Sequence, residues 1–299
     1  IEIDKERKGG DAKREIKDHF LFLGNPGTGK TTIARIFADI LCSLEVLPLG
    51  HLVEVSRKDL VAGYVGQTAI DVERCVNRAM GGILFIDEAY SLKNGDNDQF
   101  GQEAIDTLLK LVEDNRGKLV AIAAGYTKEM NEFLSANSGM ESRFNETINF
   151  RDYSAEELTE IFRRMVTKEK MVLDEHAEAN IKNLFTKMFI TKTKNFGNAR
   201  SVRNVFENAL KNQSKRLQAQ RATATLTQED FRTITREDIE GEEATKEKNL
   251  ELIFKELDEF EGMDSVKEEI RKIAYKIMLD KEMMEQGIAD AEITPVHIV

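Results

Sequence analysis

Gly24-Asn25-Pro26-Gly27-Thr28-Gly29-Lys30-Thr31, which reads GNPGTGKT, is the stretch that decides the fold. It matches GxxxxGK(S/T) and stands between an apolar run and a segment with helical periodicity. That context predicts a loop whose backbone N–H groups surround phosphates at a helix N-terminus. Lys30 is expected to reach the outer phosphates, Thr31 to bind Mg²⁺, and Thr32 to add a further nucleotide contact. The stretch therefore predicts a Mg-ATP site.

Short apolar runs and helical patterns alternate on either side of this loop, which is typical of a parallel sheet covered by helices. Strands are expected at His19–Gly24, Leu52–Val55, Ile83–Asp87, Leu119–Ala124 and Thr147–Phe150. Helices are expected between them at Thr31–Ser43, Thr68–Met80, Gln102–Asn115 and Lys128–Asn137. We therefore predict an α/β nucleotide-binding core over residues 1–152.

The pattern changes at Ser154, which forms a predicted capping box with Glu157. Helical segments follow with no strand candidate between them, so we expect a small all-helical lid over residues 153–239. The polar run 240–249 (EGEEATKEKN) lacks periodicity and is predicted to be a linker.

Residues 250–299 repeat features of the start of the chain. Ile277, Asp280, Lys281 and Glu282 match Ile1, Asp4, Lys5 and Glu6, and His297 precedes two apolar residues as His19 does. We therefore expect 250–299 to be the start of a second module of the same kind, ending before its phosphate loop, and the chain to be part of a longer tandem protein.

An apolar run, Ile83–Ile86, ends in the two carboxylates Asp87 and Glu88. At this spacing after the phosphate loop, the run is typical of a Walker B element. Asp87 is then expected to hold Mg²⁺ and Glu88 to polarise the water that attacks ATP.

Composition limits the remaining function classes. No apolar stretch in the 299 residues approaches the length of a membrane span, and the first residues are too charged for a secretory signal, so a cytoplasmic protein with no membrane partner is expected. Cys42 and Cys75 lack CxxC partners, and the four His lack metal-ligand spacing. The net charge of −11 disfavours nucleic acid as a partner.

Several motifs appear in an order that resembles one family: GNPGTGKTT, LVAGYVGQT (60–68), AMGGILFIDEAYSL (79–92), FGQEAID, IAAGY, SRF and FGNARSVRN. The sequence is similar to AAA+ ATPases of the CbbX type, the activases of red-type Rubisco, and to the related stage V sporulation protein K ATPases. The resemblance implies a five-stranded sheet in the order 5-1-4-3-2, ATP hydrolysis, assembly into a homo-oligomeric ring of six subunits, and a protein client.

The same resemblance implies roles for two arginines. Arg143, in Ser142-Arg143-Phe144, is similar to the arginine finger that acts on a neighbouring subunit's ATP. Arg200, in Gly197-Asn198-Ala199-Arg200, is similar to the lid arginine that contacts the γ-phosphate, and Arg203 is a second candidate. Gly125-Tyr126 stands where many AAA+ proteins have a polar sensor, so the identity of that sensor stays open.

Tyr64, Val65 and Gly66 are similar to a central-pore loop in which an aromatic side chain grips an extended polypeptide. Asn94–Gln99 (NGDNDQ) fits either a second pore-facing loop or a solvated connection. The sequence thus favours an ATPase that remodels a protein client through a pore. Two alternatives remain, a nucleotide switch or scaffold that threads nothing, and a DNA-directed machine.

Overall fold

The computed structural model describes residues 18–64, 66–95, 97–192, 196–221, 225–240, 254, 257–258 and 262–285, with side chains as far as residue 275. These residues fall into two compact units that divide between Ile239 and Glu240. The first unit contains the core and the lid. None of the helices in the described ranges is long and apolar enough to cross a membrane.

Five parallel strands form the sheet of the first unit, in the order β2-β3-β4-β1-β5. They are β1 (Phe20–Gly24), β2 (Leu52–Val55), β3 (Ile83–Ile86), β4 (Val120–Gly125) and β5 (Glu146–Phe150). Read from the other edge this order is 5-1-4-3-2, so the expected topology is confirmed. Because β1 lies beside β4, and β4 beside β3, the loops that follow these three strands meet at one edge of the sheet.

Helices cover both faces of this sheet. They are α1 (Lys30–Ser43), α2 (Arg57–Leu60), α3 (Gln67–Ala79), α4 (Gln99–Asp114), α5 (Thr127–Ala136) and α6 (Ser138–Arg143), with a 3₁₀ turn at Ala89–Leu92. Successive strand residues enter two separate buried clusters, with Leu84 and Ile86 in one and Ile83 and Phe85 in the other. Burial on both faces explains why the central strands β1, β3 and β4 are continuous apolar runs, whereas β5, at the edge of the sheet, is mostly exposed. The short α2 and α6 were not predicted, since four to six residues show no periodicity.

The lid consists of α7 (Ala155–Lys168), α8 (Glu175–Ile190), α9 (Ala199–Gln220) and α10 (Arg236–Glu240) around a core that contains Phe162, Phe185 and Phe206. The capping box of Ser154 and Glu157 is formed at the start of α7. The lid also contains a short parallel pair, β6 (Val172–Leu173) and β7 (Thr233–Ile234). This pair was not predicted, because strands of two residues carry no alternating pattern.

The second unit contains the helix α11 (Asp264–Glu285). In that unit Arg271 binds the carboxylate of Asp258 at 2.6 Å and lies 5.4 Å from the ring centre of Phe254. Val266 and Ile270 are exposed on the helix. Glu240, the first residue of the predicted linker, is the last residue of α10; residues 241–249 and most of the sequence repeat between residues 1–21 and 277–299 lie outside the described residues.

His19, which immediately precedes β1, is fully buried. Its Nδ1 accepts a hydrogen bond from the backbone N–H of Ala121 at 3.1 Å, so the folded state needs the neutral ring. Burial is the main reason that the pKa of His19 falls from 6.5 to about 4; the charge of Arg116 lowers it further, and that of Asp18 opposes the change. The unfolded chain therefore binds a proton at a pH where the folded chain does not.

This difference predicts that acid destabilises the core through His19. Stability from the neutral ring is complete above pH 6.5 and is lost as the pH falls from 6.5 toward 4. Between pH 7 and pH 5 the loss should be about 2 kcal/mol in the free energy of unfolding. His19→Asn keeps an acceptor for Ala121 but does not titrate, so urea denaturation at the two pH values should show a smaller loss in this variant. Equal losses in both proteins would contradict the prediction.

Candidate functional site

A cavity of about 390 Å³ lies between the carboxyl edge of the sheet and the lid. It is lined by residues from the phosphate loop, the ends of β3 and β4, and the helices α7 and α9. They are Pro26, Gly27, Gly29, Lys30, Thr31, Thr32, Asp87, Glu88, Gly125, Tyr126, Met165, Ala199, Arg200 and Arg203. The structure thus brings most of the predicted nucleotide-site residues to one place, although 58 residues separate Lys30 from Glu88.

The phosphate loop ends at Gly29, the N-cap of α1, and Lys30 is the first residue of that helix. Lys30 Nζ donates to the carbonyl oxygens of Gly24 at 2.7 Å and Asn25 at 2.9 Å, and the Thr28 hydroxyl donates to Asn25 O at 2.8 Å. Gly24, Asn25 and Thr28 therefore shape the loop, whereas Lys30 also faces the cavity. The first turn of α1 contains no acidic residue, so its positive dipole end can attract an anion.

Burial lowers the pKa of Lys30. The carboxylates of Asp87 and Glu88 oppose this effect, and the charge of Arg200 adds to it. The lysine thus shares its surroundings with two acids and a second cation, an arrangement suited to a polyphosphate with a divalent cation.

Gly27 is where the phosphate loop touches the lid. The residue has a φ of 71°, and an added Cβ would lie 2.2 Å from the carbonyl oxygen of Gly197 and 2.8 Å from the backbone N of Arg200. The backbone N–H of Ala199 donates to Gly27 O at 3.1 Å. A side chain at position 27 would therefore push the loop and the lid apart.

Asp87 and Glu88 follow β3 directly and both line the cavity. The backbone N–H of Asp87 donates to Val55 O at 2.8 Å, which continues the pairing of β3 with β2 and fixes the position of the carboxylate. Glu88 has a left-handed backbone with a φ of 48°, and its N–H donates to Asp87 Oδ1 at 3.1 Å. This turn leaves the side chain of Glu88 exposed in the cavity.

Tyr90 is a neighbour of Glu88 that was not predicted from the sequence. Burial, the Glu88 charge and a hydrogen bond to the Glu88 side chain raise the pKa of Tyr90. Its ring lies 5.7 Å from that of Tyr126, and a Cβ at Gly125 would approach the Tyr90 ring to 2.8 Å. The glycine at the end of β4 thus makes room for the ring of Tyr90, whose hydroxyl is hydrogen-bonded to the Glu88 side chain.

Arg200 and Arg203 lie in the first turns of α9 and line the cavity from the lid side. Arg143 lies elsewhere, at the end of α6. Among the described residues, the cavity lining does not include it. Arg143 Nη1 donates to Gly139 O at 3.2 Å, and its Nε lies 3.5 Å from Glu113 Oε2. The predicted arginine finger is therefore separate from the nucleotide pocket of its own chain.

Tyr64 lies at the tip of the segment between α2 and α3, and its side chain is 82% exposed. Below the tip, the N–H of Ala62 donates to the buried hydroxyl of Thr68 at 3.2 Å, and Gly66 caps α3 with a φ of 80°. The base of the loop is thus held while the aromatic ring projects. Val65 lies outside the described residues.

Arg57, at the start of α2, connects this loop to the segment Asn94–Gln99, of which Asp96 lies outside the described residues. Its guanidinium binds Asp98 Oδ2 at 2.7 Å and donates to the carbonyl oxygens of Ser91, at 3.1 Å, and Leu92. The hydrogen bond from Arg57 is the main reason that the pKa of Asp98 falls to about 2. Sequence reasoning missed this contact because the two residues are far apart in the chain and form no motif.

The donor set of the cavity fits Mg-ATP. The helix N-terminus, Lys30, Arg200 and Arg203 supply positive charge for phosphates. The hydroxyl of Thr31 and the carboxylate of Asp87 are oxygen ligands of the kind that Mg²⁺ prefers.

Comparison with known proteins agrees with the fold. The family model for the ATPase family associated with various cellular activities (AAA) matches residues 20–152, and the AAA lid domain model matches residues 154–249. The two matches meet between β5 and α7, where the sheet gives way to the lid.

Three relatives illustrate the similarity. Stage V sporulation protein K of Bacillus subtilis is 46% identical over 200 residues, which are 67% of this chain and 62% of that protein. Protein CbbX of Cereibacter sphaeroides is 43% identical over 225 residues, or 72% of this chain and 71% of that protein. The chloroplastic ribulose bisphosphate carboxylase/oxygenase activase of Cyanidioschyzon merolae is 42% identical over 222 residues, or 74% of this chain and 75% of that protein. The chain therefore belongs to the AAA family of ATPases, within the group that contains CbbX and stage V sporulation protein K.

Proposed function

We propose that this chain is a subunit of a hexameric ring that hydrolyses Mg-ATP and uses the energy to remodel a protein client. The observation that carries the nucleotide part is that Lys30, Asp87, Glu88 and Arg200 line the same cavity. The cavity lies at the carboxyl ends of parallel strands, where open α/β sheets bind their ligands.

Each of these residues has a distinct part in the proposed reaction. Lys30 and the N-terminus of α1 bind the outer phosphates, and Thr31 and Asp87 hold Mg²⁺, which neutralises phosphate charge when bound. Glu88 orients the attacking water and accepts its proton. Arg200 stabilises the charge that develops on the transferred group from the lid side, and Arg143 does so from a neighbouring subunit.

The proposed client is a polypeptide, and Tyr64 is the residue that grips it. In the part of the chain that the structure describes, Tyr64 has the largest exposed fraction of the large hydrophobic residues, 82%, so its ring is available to contact a partner. The loop base is anchored by Thr68, and Arg57 connects the same region to the 3₁₀ turn that follows Glu88. A change in the position of Glu88 during hydrolysis can therefore reach the loop of Tyr64 through the 3₁₀ turn and Arg57.

The names of the relatives support a protein client without selecting one. The Cyanidioschyzon merolae relative is named as an activase of ribulose bisphosphate carboxylase/oxygenase, which is itself a protein. The net charge of −11 argues against a DNA-directed machine. A nucleotide switch that threads nothing is the other alternative, and it makes no use of an exposed Tyr64.

We also propose that the chain has the domain division expected from its sequence, with residues 250–299 outside the first module. Two observations support this division. Within the described ranges, the buried members of the lid core all fall between Leu158 and Ile239, and the described residues beyond Ile239 belong to a compact unit of their own.

Tyr64→Ala tests the client part of the proposal. We expect basal ATP hydrolysis to stay within about twofold of wild type, whereas stimulation of hydrolysis by an unfolded polypeptide such as casein should be lost. Tyr64→Phe should retain most of the stimulation because it keeps the ring. Phe231→Ala removes another exposed aromatic side chain, in the lid, and should leave stimulation unchanged.

Each alternative has its own outcome in this experiment. Stimulation that survives in Tyr64→Ala would contradict the grip on the client. A wild-type protein that is not stimulated by polypeptide would favour the switch, and one stimulated by DNA would favour the DNA-directed machine.

A further inference from the structure

The contact between phosphate loop and lid is built around Asn198, the N-cap of α9. Its side chain is fully buried. The Nδ2 group lies within hydrogen-bond distance of Asp152 Oδ1 at 2.9 Å, Phe196 O at 3.0 Å and Pro26 O at 3.3 Å. Its Oδ1 accepts from the backbone N–H of Tyr153 at 2.9 Å. One amide group thus contacts the phosphate loop, the connection between core and lid, and the lid itself.

Asp152 extends this cluster to two more elements. Its Oδ1 also accepts from Nδ2 of Asn25, in the phosphate loop, at 2.8 Å, and its Oδ2 accepts from Lys192 Nζ, after α8, at 3.0 Å. Burial acts to raise the pKa of Asp152, but the hydrogen bonds from Asn198, Asn25 and Lys192 outweigh it and lower the pKa. The carboxylate is therefore ionised at neutral pH and accepts from both the loop and the lid.

The backbone of Asn198 argues against a role in packing alone. Its φ of 46° and ψ of −127° form a combination that residues with a side chain rarely adopt and that glycine adopts easily. A glycine here would relieve this strain but would remove every hydrogen bond of the amide. Strain that persists at one buried polar residue is a feature of functional sites.

The position of Asn198 in the chain connects it to the chemistry. Arg200, which lines the cavity, follows two residues later in the first turn of the same helix. Ala199, between them, donates to Gly27 O in the phosphate loop. Movement of the loop is therefore transmitted to the start of α9, and with it to the guanidinium of Arg200.

We propose that Asn198 is a positioning residue, which acts with Asp152 to hold Arg200 against the phosphate loop so that Arg200 can contact the transferred phosphate. The inference rests on the proposed function of Arg200. The inference adds that the effect of Asn198 on hydrolysis depends on Arg200, because Asn198 itself does not contact the substrate. The effects of substituting Asn198 and Arg200 on kcat should therefore be strongly non-additive.

A double-mutant cycle tests this dependence. Asn198→Ala should lower kcat for ATP hydrolysis about tenfold in the otherwise wild-type chain, but by less than about twofold in an Arg200→Ala chain. The matched control is Gln213→Ala, which removes a buried amide from the same helix, where Gln213 donates to Thr233 O at 2.8 Å. That control should lower the melting temperature but leave kcat nearly unchanged in both backgrounds.

A charge exchange gives a second measurement, which also serves if Asn198→Ala does not fold. Asn198→Asp places a carboxylate beside that of Asp152, so it should lower kcat more than the alanine variant does. Adding Asp152→Asn to the same chain restores an amide–carboxylate pair and should recover at least about a third of the lost activity. If Asn198 only filled space, Asn198→Asp would keep its shape and lose little activity, so Asp152→Asn would have nothing to recover.

The outcomes separate this inference from the proposed function. Additive effects of Asn198→Ala and Arg200→Ala, or no recovery in the exchanged pair, would overturn the role of Asn198 and leave the ATPase assignment intact. Wild-type kcat in Arg200→Ala would overturn both the proposed role of Arg200 and the inference that depends on it.

Discussion

Glu88→Gln is expected to lower ATP hydrolysis about a hundredfold or more and to leave ATP affinity within about twofold of wild type. The amide has the shape of the carboxylate but cannot accept a proton from the attacking water. The Glu88 side chain is exposed in the cavity and lies beyond the end of β3, so its replacement should not disturb the sheet. Phosphate release measures the first effect, and calorimetric titration with ATP measures the second.

Lys30→Ala is expected to fail at the earlier step, with no ATP binding detectable in the same titration. The change removes a cation from the phosphate site, and it also removes the hydrogen bonds from Nζ to Gly24 O and Asn25 O that hold the loop. Lys118→Ala is a suitable control. Lys118 is exposed and lies just before β4, at the amino ends of the strands and therefore away from the phosphate loop. It should bind and hydrolyse ATP as the wild type does.

The pair of variants distinguishes binding from chemistry. A Glu88→Gln protein that hydrolyses ATP at the wild-type rate would remove Glu88 from the mechanism. A Lys30→Ala protein that binds ATP normally would contradict the placement of the phosphates at the start of α1.

The fold could be predicted largely from local patterns. The central strands β1, β3 and β4 are continuous apolar runs because both of their faces are buried, and the bounds of β2 were predicted to the residue. The phosphate loop was predicted because its glycines, Lys30 and Thr31 are adjacent in the chain. Boundaries shifted by up to three residues, as at the start of α4, where Asp98 caps the helix ahead of its apolar periodicity.

The parts of the site that were missed depend on contacts between distant residues. Asn198 and Asp152 are 46 positions apart, and Arg57 and Asp98 are 41 apart. Neither pair has a spacing that a single sequence can reveal, because the fold alone brings them together. Tyr90 is a different case, since it follows Glu88 closely, and its value as a hydrogen-bond partner appears only once Gly125 is seen to leave space for its ring.

Arg143 has the surroundings expected of a residue that acts on a neighbouring subunit. It ends α6 just before β5, which is the edge strand of the sheet and is mostly exposed. Its side chain is 30% exposed and lies near Glu113, outside the cavity of its own chain. An exposed edge strand leaves room for a second subunit beside Arg143, as the proposed action in trans requires.

We expect Arg143→Ala to lower ATP hydrolysis about a hundredfold while ATP affinity changes by less than about threefold. Arg116→Ala provides the matched control, because Arg116 binds the same carboxylate of Glu113 at 3.2 Å. If the arginine at position 143 mattered only through Glu113, the two variants would behave alike. If Arg143 acts as an arginine finger, the Arg116→Ala protein should hydrolyse ATP at nearly the wild-type rate.

Mixing two inactive proteins then tests whether Arg143 acts in trans. An Arg143→Ala subunit keeps Lys30, and a Lys30→Ala subunit keeps Arg143, so one of the two possible mixed interfaces contains an intact site. In rings assembled at random from equal amounts, about a quarter of all interfaces should be of this kind. Hydrolysis should therefore recover to about a quarter of the wild-type rate at equal mixing and fall off on either side. If native mass spectrometry detects mixed rings and no ratio restores hydrolysis, Arg143 does not act on a neighbour's ATP.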